Sequence, residues 1–265
     1  MSTATHVHPL IGFAGKTLTI TELELRKLRH DFTDVITRAI QPALWLLLFG
    51  SVFAQLRLVP AGDIPYRDFM APGILAQGVL FTAIFYGIGI IWERDLGVAQ
   101  KYLASPAPRT ALVLGKALSA SLRALIQTVF IYTLSVILGV HVDWHPTALL
   151  GVITVVIFGA ALFSSFSFII ACLVKTRERF MGIGQILTMP LFFASNAIYP
   201  ISLMPPWLQV LAHLNPLTYI VDALRALMLA HGTSHLGLPL DFAVIILTTL
   251  LVVWIGSRVY PRIVR

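Results

Sequence analysis

Charge is what this sequence has least of. Only 12% of its 265 residues are Asp, Glu, Lys or Arg, while 57% are hydrophobic. A soluble domain carries roughly 25% charged residues, so this composition belongs in lipid. Cys172 is the single cysteine, which excludes an intrachain disulfide; near Lys175, it reads as an inert structural thiol on a reducing side. The net charge of +7 does not point to nucleic acid, because the basic residues sit at the edges of apolar runs with no aromatic-interleaved basic patch. That distribution is the mark of membrane topology. A cleavable signal is also missing: residues 1–10 are polar, with His6 and His8, so the first span is expected to act as its own insertion signal.

Catalytic constellations are missing as well. No Ser/His/Asp, paired-carboxylate or Cys/His arrangement stands out, and the chain reads as a non-catalytic subunit. Gly15-Lys16-Thr17 has the tail of a phosphate-binding loop, but that loop needs a glycine where Leu10 stands and a buried strand before it. His141, Asp143 and His145 alternate, and His231 and His235 are four apart, yet Pro146 and the loop setting disfavour a rigid metal site. No metal or cofactor is expected on this chain.

What the sequence has is long apolar runs. Six of them, at about 37–57, 70–92, 117–140, 147–173, 180–201 and 239–260, approach the ~20 residues needed to cross ~30 Å of hydrocarbon. Pro190 and Pro200 interrupt the fifth, where a kink or unwound segment is expected. Before the first run, Leu25, Leu28, Phe32 and Val35/Ile36 recur at helical spacing opposite Glu24, Arg26, Lys27 and His30, and Thr21 with Glu24 suits a capping box. A basic amphipathic helix over 18–36 fits an anionic membrane surface or, alternatively, a cytosolic partner. The expected fold is therefore an all-α integral membrane protein. It has six transmembrane helices, an N-terminal amphipathic interfacial helix and a re-entrant external helical hairpin before the last span.

The Lys/Arg distribution orients it. Fifteen basic residues, from Lys16 to Arg265, fall on one side, against Arg57, Arg67 and Arg225 on the other. Both termini and the loop 93–116 are therefore expected in the cytoplasm, with the chain crossing its membrane several times. The expected division is a cytoplasmic region 1–36, a spanning domain 37–260 and a tail 261–265. Residues 202–238 are amphipathic and carry Pro206 and Pro216 at the starts of two helices too short to span, so they should dip into the outer leaflet and return. Trp207 and Tyr219 suit the interface. Asp222 and Arg225, three apart on one helix face, either neutralise one another or form an outer gate. Arg123, a turn or two into the third span, either snorkels to headgroups or meets the substrate pathway.

Two stretches carry a family resemblance that extends over nearly the whole chain. Tyr199-Pro200-Ile201-Ser202, Met204-Pro205-Pro206-Trp207-Leu208, Leu214-Asn215-Pro216-Leu217-Thr218-Tyr219 and Asp222-Ala223-Leu224-Arg225 together form the first. Glu93-Arg94-Asp95-Leu96-Gly97, Tyr102-Leu103-Ala104-Ser105-Pro106, Arg109 and Gly115-Lys116 form the second. The chain resembles the permeases of ABC-2 type exporters, closest to the drug-resistance and nodulation-factor branch. The resemblance implies a homodimer working with two separate ATPase subunits, which carry the ATP and magnesium, and no nucleic-acid partner. It also implies a coupling helix after the second span, with Glu93, Arg94, Asp95 and Lys101 as polar contacts and Leu96, Val98 and Tyr102 as apolar anchors. It implies a central route lined by the second and fifth spans, which makes Phe81, Phe85, Tyr86, Phe192, Phe193 and Asn196 pathway candidates or else packing aromatics. Trp207, Asn215, Tyr219, Asp222 and Arg225 belong to the external re-entrant element. The function implied is ATP-driven export of an amphiphilic drug or lipid, with a lipid-linked glycan as the alternative cargo. An ATP-independent secondary transporter or channel is the other class.

Overall fold

The computed structural model describes residues 15–23, 26, 37, 40–48, 50, 52, 65–104 and 108–261, with the Leu103 side chain excepted. Part of the expected first span, much of the amphipathic helix and the tail 262–265 lie outside the described residues. Residues 15–23 and 40–48 are helical. The named helices are α1 (Tyr66–Tyr86), α2 (Ile88–Asp95), α3 (Val98–Ala104), α4 (Arg109–Ile137), α5 (Pro146–Leu173), α6 (Arg177–Phe193), α7 (Pro206–Leu214), α8 (Pro216–Met228) and α9 (Leu238–Val259), with a 3-10 turn at Ile201–Leu203. The fold is all-helical; among the described residues the only β pairing is one isolated bridge between Val142 and Leu229.

Four stretches among the described residues are long and apolar enough to cross a membrane: Tyr66–Asp95, Arg109–Ile137, Pro146–Leu173 and Leu238–Val259. The first runs through α1 and α2 past Gly87, whose αR backbone keeps the helix path. A side chain at Gly87 would collide with the Ser167 hydroxyl and the Phe180 ring, so glycine is what lets α5 and α6 approach there. The observed helices are longer than the apolar runs because polar ends such as Tyr66–Phe69 and Arg109–Lys116 keep helical geometry beyond the apolar core.

α5 is the hub. It packs against α1, α4, α8 and α9. Its buried residues include Gly159, Ala160, Ala161, Ser164, Ser165, Ser167 and Ala171, small side chains that let several helices come close at once. α6 stands at the edge. Only Phe180, Gly184, Thr188 and Phe192, one row at four-residue spacing, are buried, while Met181, Ile183, Ile186 and Phe193 are exposed. It also ends at Phe193, and a turn leads on to the 3-10 segment. The expected fifth span is thus a 17-residue helix, Arg177–Phe193, about 26 Å long; it runs on through Pro190, against the expected interruption there, and gives way to turns before Pro200.

The helices put chemistry at two ends. Asp95, Lys101, Arg109, Lys175, Arg177 and Arg258 gather at one, where the segment 15–23 also packs, Ile20 and Thr17 against Gly115. Thr21 is not a helix cap here: it lies inside the helical segment, its hydroxyl donating to Thr17 O at 2.9 Å. Helix formation already by residue 15 overrides the local capping signal. The other end holds Asp68, His141, Asp222 and Asp241, and its connections are pinned by Asp143 N to Met228 O at 2.8 Å and Ala230 N to His141 O at 3.0 Å.

Candidate functional site

At the basic end, α2 stops at Asp95, and Gly97 with φ 71° turns the chain into α3. That left-handed backbone is cheap only for glycine. Of the seven residues expected to meet a partner, the structure turns Glu93 and Arg94 inward. Glu93 is buried and its carboxylate lies 2.5 Å from the Lys116 ammonium on α4. Arg94 donates to Val174 O at 2.8 Å and to Lys175 O at 2.6 Å, capping the carbonyls where α5 ends. Asp95 is shared: Arg94 reaches one oxygen at 3.3 Å and Arg177 the other at 3.0 Å. The Arg177 guanidinium also rests 4.0 Å above the Trp92 ring. Leu96 is 71% exposed, and Lys101 is exposed as well. Tyr102 is half-buried, its ring 5.8 Å from the Lys116 ammonium. The segment is therefore tied to α4 by one ion pair and to the α5–α6 turn by hydrogen bonds and a second ion pair, and it presents Leu96 and Lys101 outward.

Deeper along α1 and α4 the same antiparallel register continues. Seven residues beyond the Glu93–Lys116 pair on each helix, Arg123 lies over the Tyr86 ring at 5.3 Å. Four residues further, Thr82 bonds Gln127. Ion pair, cation–π contact and hydrogen bond thus form three rungs of one seam. The sequence signal for it was the spacing Lys116, Arg123, Gln127 on α4 opposite Glu93, Tyr86, Thr82; pairing it requires knowing that the two helices touch.

The remaining pathway candidates form separate aromatic groups. Phe81 and Phe85 are adjacent on α1, with ring centroids 5.9 Å apart. Phe192 and Phe193, 5.4 Å apart, join Trp45 from the 40–48 helix at 5.9 and 6.2 Å. Trp45 was not singled out from sequence, since a lone tryptophan in an apolar run carries no address. Trp45 also lines an open groove of about 380 Å³ with Gln41, Leu44 and Leu48.

At the opposite end, Asn196 joins the external pair. Asp222 is fully buried. Its carboxylate accepts from Asn196 Nδ2 at 3.4 Å, Ser234 Oγ at 3.0 Å and Leu236 N at 2.8 Å, with Arg225 3.8 Å away. Arg225 donates to Asn196 O at 2.7 Å and lies 4.0 Å over the Phe69 ring. The Ser234 hydroxyl also reaches Asp241 at 2.8 Å, a residue the sequence reading passed over. Asn215 caps α8 by accepting from Leu217 N at 3.0 Å, and its amide donates to Leu191 O at 2.7 Å and Ala194 O at 3.2 Å. Tyr219 donates to His213 O at 2.9 Å, while Trp207 is 65% exposed. His141 of the alternating trio pairs with Asp68 at 2.9 Å, and Asp143 accepts from His145 N at 2.9 Å in a local turn.

Comparison with known proteins adds a family-level match. The profile of the ABC-2 type transporter family matches residues 16–229. A putative transport permease, ycf38, of Pyropia yezoensis is 32% identical over 214 residues, covering 78% of this chain and 72% of the relative. A daunorubicin resistance ABC transporter permease protein of Streptomyces coeruleorubidus is 29% identical over 229 residues, covering 82% and 76%. An inner membrane transport permease of Escherichia coli strain K12 is 23% identical over 231 residues, covering 82% and 85%.

Proposed function

This chain belongs to the ABC-2 type transporter family, and from that membership we propose that it is the permease subunit of an ATP-driven exporter of amphiphilic drugs or lipids. It is a membrane protein by family and by its apolar helices. In the proposed arrangement six spans cross a bacterial inner membrane with both termini cytoplasmic, and α7–α8 form a re-entrant hairpin in the outer leaflet. Two copies assemble side by side, and each engages an ABC ATPase subunit that holds the ATP and magnesium. The open side of α6, with Met181, Ile183, Ile186 and Phe193 exposed, supports the pairing of copies. The name of the Streptomyces relative supports drug-like cargo.

The observation that carries the proposal is how the α2–α3 segment is attached. It is continuous with α1, ion-paired to α4 through Glu93 and Lys116, and fastened to the α5–α6 turn through Arg94 and the Asp95–Arg177 pair. A partner pressing on Leu96 and Lys101 would therefore move three helix ends together. Force that reaches a packed bundle is expressed as rigid-body displacement, because close-packed interfaces shift between discrete arrangements. ATP binding to the partner then favours one arrangement of the dimer and its release the other. The test is transport of labelled drugs and lipids into vesicles by the chain reconstituted with and without its ATPase. Movement of cargo without the ATPase would overturn the proposal.

A further inference from the structure

Arg123 is the member of the α1–α4 seam whose charge has no answer. Glu93 neutralises Lys116 one rung above it, but among the described residues Arg123 makes no hydrogen bond or ion pair and contacts the Tyr86 ring at 5.3 Å. Its Nε is buried without a partner, and so are Ser119 Oγ and Gln127 Nε2, one turn to either side on the same helix row. Three successive turns of α4 thus hold buried polar groups with donor capacity and no acceptor among the described residues. Arg123 sits seven residues, about 10 Å, past Lys116, where an unpaired cation is expensive. From Arg123 a single stripe continues at three, seven and fourteen residues through Ile126, half-buried, and Phe130 and Ile137, which are exposed. A cation at the head of an exposed apolar stripe is complementary to one kind of molecule.

We infer that the α1–α4 seam binds the anionic headgroup of an amphiphile, a phosphate or carboxylate on Arg123, with its chain along Ile126, Phe130 and Ile137. The guanidinium offers two parallel donors to such an oxyanion, while Tyr86 supports its other face. The same chemistry comes from two sources, a resident bilayer lipid or a single-chain cargo.

The test uses the full chain in neutral maltoside detergent and needs no ATPase, so its outcome is independent of the export proposal. Dioleoylphosphatidylglycerol and dodecyl phosphate are titrated, with diacylglycerol and inorganic phosphate as controls, and bound molecules are counted by native mass spectrometry. Both anionic amphiphiles, or one of them, should bind; preference for the first marks a lipid, for the second a cargo. Arg123→Gln should weaken binding roughly tenfold, the order expected for losing a charge-assisted contact, while Arg123→Lys should retain most of it. Equal binding by Arg123→Gln, equal binding of diacylglycerol, or competition by inorganic phosphate at matching concentration would each overturn the inference. The wild-type chain supplies a second readout if the glutamine variant does not fold. Dodecyl phosphate should protect Arg123 from phenylglyoxal, read by peptide mass, and dodecyl maltoside should not; absence of protection overturns it as well.

Discussion

Glu93 and Lys116 face each other at 2.5 Å between α2 and α4, both buried. Their pairing sets the register that places Arg123 over Tyr86 and Gln127 beside Thr82. A residue expected to greet a soluble partner turns out to fasten one helix to another.

Lys116→Met leaves the Glu93 carboxylate buried without its cation. Breaking a buried pair by removing one partner costs about 3–5 kcal/mol, whereas replacing both groups with apolar or neutral ones is often near neutral. Thermal unfolding in detergent should therefore show a large loss for Lys116→Met and a substantial recovery in Glu93→Gln/Lys116→Met. An equal loss in the double variant would mean that the pair does not set stability.

Leu96 and Lys101 are exposed members of the same segment. Leu96→Asp should weaken association with the ATPase subunit at least about tenfold, consistent with an interface anchor, and leave the melting temperature of the isolated chain unchanged. Co-purification and thermal unfolding measured on the same preparation check both halves. Arg94→Ala should do the opposite, lowering stability first, because it frees the carbonyls of Val174 and Lys175.

Asn215 combines three bonds in one side chain: a cap on Leu217 N and donations to Leu191 O and Ala194 O. Asn215→Ala should destabilise by about 2 kcal/mol, roughly 1 for the cap and a similar amount for the stranded carbonyls. Asn215→Asp keeps the cap but loses the amide donors. It should therefore fall between wild type and alanine in thermal unfolding, or below both if its charge is left buried.

Asp222 is held by Ser234, Leu236 N, Asn196 and Arg225 together. Arg225→Ala should cost about 3–5 kcal/mol, because a fully buried carboxylate loses its only nearby cation among the described residues. Arg225→Ala/Asp222→Asn should regain part of it. If transport falls in the double variant while stability recovers, the pair also acts in the outer gate; if both recover, it is a structural clamp.

Particular residues show where sequence reading reached its limit. Asp222 and Arg225 could be paired from spacing alone, because both lie within one turn of one helix. Glu93 and Lys116 are twenty-three residues apart, across a turn and a short helix, and nothing local says that one carboxylate turns inward while its neighbour Asp95 stays at the surface. Trp45 and Asp241 gave no signal at all: their roles come from Phe192, Phe193 and Ser234, which arrive from distant parts of the chain.

The sequence by itself determined that the chain is helical and lives in lipid, since apolar runs of bilayer length leave the backbone no other way to satisfy its hydrogen bonds. Its charge distribution also named the basic end. Only the tertiary structure decided which charges are spent inside the molecule and which remain outside. Burial and pairing depend on which helix packs against which, and that choice is made by side-chain fit across α1, α4 and α5, not by any stretch of residues read alone.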